Sequence, residues 1–166
     1  MGVVVLAIAS GAGAHTTSNN DPNDTNSPFD IRTAALKHNA DDLIGKAITD
    51  EQFAKSELIP KGNTFYLDLD VDSDPNLDFY VSMFAKEDGE LVSKVYRRQS
   101  GVDPFRGRAK LTKGSADGGT LLTVVIDRSL VNVTQSGRVI RYRWLSQYDG
   151  NTWDDAPNNG WYKLTI

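Results

Sequence analysis

A chain of 166 residues fits one domain with room for a short leader. It contains no cysteine, which excludes both a disulfide framework and a thiolate metal site. A net charge of −4 argues against a nucleic-acid partner, since phosphate binding needs a basic surface.

In chain order, residues 1–14, "MGVVVLAIASGAGA", form a short apolar run with a small-x-small ending, as at a signal-peptide cleavage site. No basic residue precedes Val3, so a buried N-terminal strand is the alternative. The run is too short for a helix that spans a membrane. Residues 15–28, "HTTSNNDPNDTNSP", read as a polar, disordered mature terminus, which leaves 29–166 as the folded domain. With a leader the protein is expected to be secreted and to work in extracellular surroundings, where calcium is plentiful.

Strands are expected at 30–38 and 43–49, followed by one helical turn before Pro60. "TFYLDLDV" (64–71) alternates, with Phe65, Leu67, Leu69 and Val71 on one side and Tyr66, Asp68, Asp70 and Asp72 on the other. Segments 77–85 and 90–98 flank the turn "KEDG", and "GRAKLTKG" and "TLLTVVIDRSL" flank "SADGG". "RVIRYRWLSQY" (138–148) again alternates, and "GWYKLTI" (160–166) closes the chain. Roughly nine short strands at hairpin spacing predict an all-β antiparallel sandwich.

The stretch "DLDVDSDPNLD" (68–78) carries the strongest chemical signal. Strand residues two apart lie roughly 6.5–7 Å from each other, so Asp68, Asp70 and Asp72 repel unless solvated, paired or bound to a metal. Asp74, Asn76 and Asp78 continue into a turn where side-chain and backbone oxygens converge, which suits calcium. The EF-hand template does not fit, because Pro75 stands at its glycine position and Val81 at its bidentate glutamate. The alternative is a salt-bridged face in which Arg141 and Arg143 pair with Asp68 and Asp70 across a sheet.

Three motifs occur together: "NDPNDTNSPFDIR" (20–32), "YLDLDVDSDPNLDFYV" (66–81) and "WDDAPNNGWYKLTI" (153–166). In this combination the chain resembles secreted bacterial β-sandwich domains similar to the DOMON and family-nine carbohydrate-binding superfamily. Phe79 displaces by one place the tyrosine usual after the second aspartate, and a glycine common in the acidic turn is absent. The resemblance implies a jelly-roll-like sandwich with a structural calcium ion. Together with the acidic stretch it makes Asp70, Asp72, Asp74 and Asp78 the expected ligand pool, with Asp24 and Asp30 closing the site. Some such domains bind sugars or haem.

Catalysis finds little support. Two histidines, His15 and His38, are too few for a zinc centre, and no serine lies in a nucleophile elbow. His38 is expected at the surface, and Met83, the other conceivable haem ligand, in the core. A polysaccharide hydrolase would need a carboxyl with a raised pKa in a cleft. Arg97, Arg98, Arg106, Arg108 and Lys110 read as a solvated cationic face.

Aromatic residues cluster near the end of the chain. Trp144 is expected in the core by its alternation with Ile140 and Tyr142, and Trp161 in the core at the start of the last strand. Trp153 is expected in a loop and exposed. With Tyr148, Asp154, Asp155 and Asn158 it forms a candidate ligand site for a polysaccharide or cell-surface glycan. The resulting expectation is a secreted, non-catalytic module that contains calcium and binds carbohydrate. Its rivals are a metal-free structural or protein-interaction domain and, more remotely, a hydrolase.

Overall fold

The computed structural model describes residues 16–166 apart from 60, 61, 73 and 75. The expected leader at 1–14 lies outside the described residues. Twelve strands pack as two antiparallel sheets, which makes the chain an all-β sandwich. The first sheet contains β1 (Thr16–Asn20), β2 (Ile31–His38), β3 (Asp42–Thr49), β8 (Lys110–Ala116) and β9 (Gly119–Asp127), in the order β1-β2-β3-β9-β8. The second holds β4 (Thr64–Asp70), β5 (Phe79–Ala85), β6 (Leu91–Arg97), β7 (Phe105–Arg108), β10 (Val139–Tyr148) and β11 (Thr152–Ala156), in the order β11-β10-β4-β5-β6-β7. β12 (Tyr162–Thr165) also pairs with β10. Short 3₁₀ turns occupy Lys55–Leu58 and Arg128–Val131.

Period-two burial builds the core. Phe65, Leu67 and Leu69 of β4, Val81 and Met83 of β5 and Tyr142 and Trp144 of β10 point inward. They meet Leu36, Leu43, Ala47, Leu122, Val124 and Ile126 of the other sheet. Each fully buried large side chain of this kind stabilises the fold by about 1.5–3 kcal/mol over the exposed state. Trp144 lies opposite Gly45, where an added Cβ would sit 3.0 Å from the indole and 2.9 Å from Leu67. The "SADGG" turn is a two-residue hairpin loop with positive φ at both Asp117 and Gly118, the geometry that matches strand twist.

Three expectations are corrected. Residues 16–20 form an edge strand, because the buried Tyr142 hydroxyl needs partners and finds them in the Thr17 hydroxyl (2.9 Å) and the Asn19 amide (3.3 Å). Residues 152–156 form β11 in place of a loop. His38 is buried, because alternation in β2 puts it on the same side as Ala34 and Leu36.

The ten-residue β10 is paired along both edges. β4 runs along one of its edges. Along the other, β11 and β12 lie in tandem, pairing with Trp144–Tyr148 and Val139–Tyr142 respectively. The loop from Pro157 to Trp161 joins them.

Candidate functional site

Three groups of side chains gather around β10. At the end of β4, register places Asp68 opposite Arg143 and Asp70 opposite Arg141 on the outer face of the sheet. Arg143 holds Asp68 through Nε and a terminal nitrogen, both at 2.9 Å, and Arg141 holds the fully buried Asp70. The salt-bridged arrangement is therefore present. Burial pushes the Asp68 carboxyl above the usual range against the pull of Arg143.

Beyond the strand end, Asp70, Asp72 and Asp78 each present one oxygen within 4.8 Å of the others. Backbone amides already occupy part of this group. Val71 N donates to Asp78 Oδ2 at 2.7 Å, Asp74 N to Asp72 Oδ1 at 3.0 Å and Asn76 N to Asp74 Oδ1 at 2.7 Å. Such bonds are what Asx turns supply with or without a metal. Burial raises the Asp78 pKa, and the neighbouring Asp72 and Asp70 add to the shift.

Asp24 and Asp30 do not join this group. Asp70 is level with Arg141 on the outer face, whereas Asp154, which shares a neighbourhood with Asp24 and Asp30, is level with Ser146 on the inner face. Five residues of strand, roughly 17 Å, separate the two levels. Asp24 is exposed and bonds the Asn158 amide.

The second group lies on the inner side, where Asp21, Asp30 and Asp154 are all buried. One oxygen of each is fixed. Asp30 Oδ2 accepts from Thr25 N (2.7 Å), Thr25 Oγ1 (2.9 Å) and Asp24 N (3.2 Å). Asp154 Oδ2 accepts from Ile31 N at 2.5 Å, and the Asp21 carboxylate from the backbone N–H of Asn158. Asp21 Oδ2, Asp30 Oδ1 and Asp154 Oδ1 are buried with no hydrogen-bond partner. Burial, then the charges of Asp24 and Asp30, push the Asp21 carboxyl up to about 6. Burial and then the charges of Asp30, Asp21 and Asp24 push Asp154 up to about 7, against the Ile31 hydrogen bond.

A pH dependence follows. Between the ordinary carboxyl pKa and these raised values the native state holds more protons than the unfolded chain, so stability is present at low pH and is lost as pH rises through 6 and 7. Asp103 and Asp127, held below the ordinary range chiefly by hydrogen bonds from Gln99 and Ser129, titrate at lower pH and do not offset the trend. In a chelator the thermal midpoint is expected to drop by several degrees from pH 5 to pH 8, given about 2–4 °C per kcal/mol for a domain of this size. A flat profile would show that both carboxyls are solvated.

The third group covers the outer face of the second sheet. Trp153, Tyr66, Tyr80, Tyr96 and Phe105 form a continuous row across β11, β4, β5, β6 and β7, with successive ring centroids 6.1, 6.4, 5.1 and 5.8 Å apart. Register explains most of it: Tyr80 pairs with Tyr96, Tyr96 with Phe105, and Tyr66 is one diagonal step from Tyr80. Trp153, level with Thr64 through Gln147, meets Tyr66 across β10. Trp153 and Phe105, at the two ends, are 48% and 56% exposed. A shallow groove of ≈ 310 Å³ lies over the Trp153, Tyr66 and Tyr80 part of the row, lined also by Asp68, Leu77, Arg98 and Leu145. Tyr80 also bonds Asp103, which is ion-paired with Arg98 at 2.9 Å.

Of the expected ligand residues, Trp153, Asp154, Asp155 and Asn158 line a second groove of ≈ 450 Å³ with Asp24 and Thr25. Within β11, Trp153 and Asp155 face outward while Asp154 and Ala156 are buried. Tyr148 turns inward, edge-on to Phe29 at 5.3 Å. Trp161 is half-buried with the Arg143 guanidinium 4.9 Å from its ring, so it belongs to the outer face and not the core.

Sequence reasoning placed Tyr66 on the aspartate side of β4 but did not join it to Tyr80, Tyr96 and Phe105. The available signal was an outward-facing aromatic residue in each of several adjacent strands.

No protein-family model matches the chain, and no curated protein matches it. Among solved structures it is similar to that of a "putative carbohydrate-binding protein" from Bacteroides uniformis. The TM-score is 0.52 and the identity 12%, over 93% of this chain and 87% of that one. At this identity the likeness establishes the sandwich fold alone.

Proposed function

We propose that the protein is a non-catalytic, extracellular carbohydrate-binding module that takes its glycan on the outer face of the second sheet. The observation that carries this reading is the row of five aromatic rings from Trp153 to Phe105 beside a groove lined by Asp68 and Arg98. Sugar rings stack on exposed aromatic faces, and flanking charged groups bond hydroxyls. The row is open and shallow, suited to an extended polymer more than to a small enclosed ligand. The fold shared with the Bacteroides uniformis protein and the resemblance to the DOMON and family-nine superfamily support the same reading. Among the described residues no helix is long and apolar enough to cross a membrane.

Binding to a panel of polysaccharides by affinity electrophoresis tests the proposal. Trp153→Ala and Tyr66→Ala are each expected to weaken retardation at least about tenfold, equivalent to about 1.4 kcal/mol. Unchanged retardation in both would move the ligand away from this face.

Calcium at the strand end is a second reading, supported by the 4.8 Å grouping of Asp70, Asp72 and Asp78. Arg141 competes there for Asp70. Asp78→Asn probes that site on its own.

A further inference from the structure

We propose that the glycan is anionic, its carboxylates or sulfates held at the Phe105 end of the aromatic row by Lys94, Arg98 and Arg108; this inference rests on the glycan reading of the outer face. The support is where the cations stand relative to the rings. Lys94, Tyr96 and Arg98 alternate along β6 and its end, so the two cations flank Tyr96, each roughly 6.5–7 Å from it along the strand. Arg98 lines the groove over Tyr66 and Tyr80. On β7, register puts Arg108 opposite Lys94 and Phe105 opposite Tyr96. Arg106, exposed, is the extra residue of the bulge between those two levels.

This arrangement costs stability without a ligand. Like charges directly opposite on neighbouring strands destabilise a sheet, and Lys94 and Arg108 are such a pair. Among the described residues, Lys94, Arg106 and Arg108 form no ion pair. Lys94 Nζ lies instead 5.4 Å from the Phe84 ring centroid. Asp103 holds Arg98 through one terminal nitrogen at 2.9 Å, and the same carboxylate is bonded by Gln99 N and Tyr80. The rest of the Arg98 fork keeps its donors, on a side chain 58% exposed. An anion seated between Lys94 and Arg108 turns a repulsion into two attractions, and arginine forks match carboxylates in a bidentate fashion.

The row is also polarised. Around Trp153, at its other end, Asp24, Asp154 and Asp155 line the groove, so that end takes a neutral sugar. This polarity and the net charge of −4 oppose a nucleic acid, which carries a phosphate at every step. The cations expected as one solvated face are therefore divided. Arg98 and Arg108, with Lys94, frame the row, whereas Arg97 is level with the inward-facing Phe79 and Lys110 begins a strand of the other sheet.

Affinity electrophoresis of the full chain in polygalacturonate and in its methyl ester, which differ in the free carboxylate, tests this. Dextran sulfate against dextran is the sulfate arm, and oligodeoxythymidylate the nucleic-acid arm. Wild type is expected to bind an acidic polymer at least about tenfold more tightly than its neutral counterpart. Raising sodium chloride from about 50 to about 500 mM is expected to remove most of that preference. Lys94→Gln combined with Arg108→Gln is expected to bring the acidic polymer to within about twofold of the neutral one. Its thermal midpoint is expected to match or exceed that of wild type, because a like-charge pair is gone, so a lost preference is not misfolding. Equal retention of acidic and neutral polymers by wild type, lost in Trp153→Ala, overturns this inference and leaves the glycan reading standing. A preference that survives both Trp153→Ala and Tyr66→Ala overturns the two together, since binding then lies off the row. Retention in neither acidic polymer overturns the inference, as does oligodeoxythymidylate bound as tightly as the acidic polymer.

Discussion

Arg141→Ala is expected to destabilise the fold by about 3 kcal/mol, measured by urea unfolding. Asp70 is fully buried, and its carboxylate is held by the Arg141 guanidinium directly opposite on β10. Removing one partner of a buried pair leaves the other charge poorly compensated, which costs about 3–5 kcal/mol. Arg141 itself is 22% exposed, so some water can enter, and the lower end of that range applies. Arg143→Ala should cost less, because Arg143 is more exposed and Asp68 not fully buried. Replacing both partners by apolar residues, as in Arg141→Met with Asp70→Leu, is expected to recover most of the loss. A loss below about 1 kcal/mol for Arg141→Ala would place the pair among ordinary surface ion pairs.

Trp144→Ala is expected to cost about 3–5 kcal/mol, the range for deleting a large buried aromatic side chain. The indole is fully buried and fills the space opposite Gly45, which has no room for even a methyl group without displacing Trp144, Leu67 or Val124. Gly45→Ala should therefore destabilise wild type and do so less in a Trp144→Phe background. That coupling is measurable as a double-mutant cycle, and additive effects would show that the two positions do not share the space.

The sandwich was legible in the sequence because most strands keep strict alternation around core residues such as Phe65, Leu67 and Leu69. The pairing of Asp68 and Asp70 with Arg143 and Arg141 was legible too, since matching two-residue spacings on two strands predict a register. β1 and β11 were not. "TTSNN" and "TWDDA" lack the apolar alternation that marks a strand, because β1 is a polar edge and β11 buries an aspartate where a hydrophobic residue is expected. Asp24 and Asp30 were grouped with Asp70–Asp78 through the motif resemblance, with no spatial signal behind it. The tandem placement of β11 and β12 along β10 instead puts Asp30 beside Asp154, a proximity across more than a hundred residues that no local pattern encodes. The aromatic row was hidden for the same reason: its members are far apart in sequence and meet only through register.

If the aromatic row is the binding face, Trp153 reports on binding from within it. Its intrinsic fluorescence is shared with Trp144 and Trp161, so the comparison is between wild type and Trp153→Phe during titration with a retained soluble polysaccharide. Wild type is expected to show a saturable change in emission that Trp153→Phe lacks, with Tyr66→Ala shifting the midpoint to at least about tenfold higher ligand. An identical emission change in Trp153→Phe, at the same midpoint in Tyr66→Ala, would contradict the account.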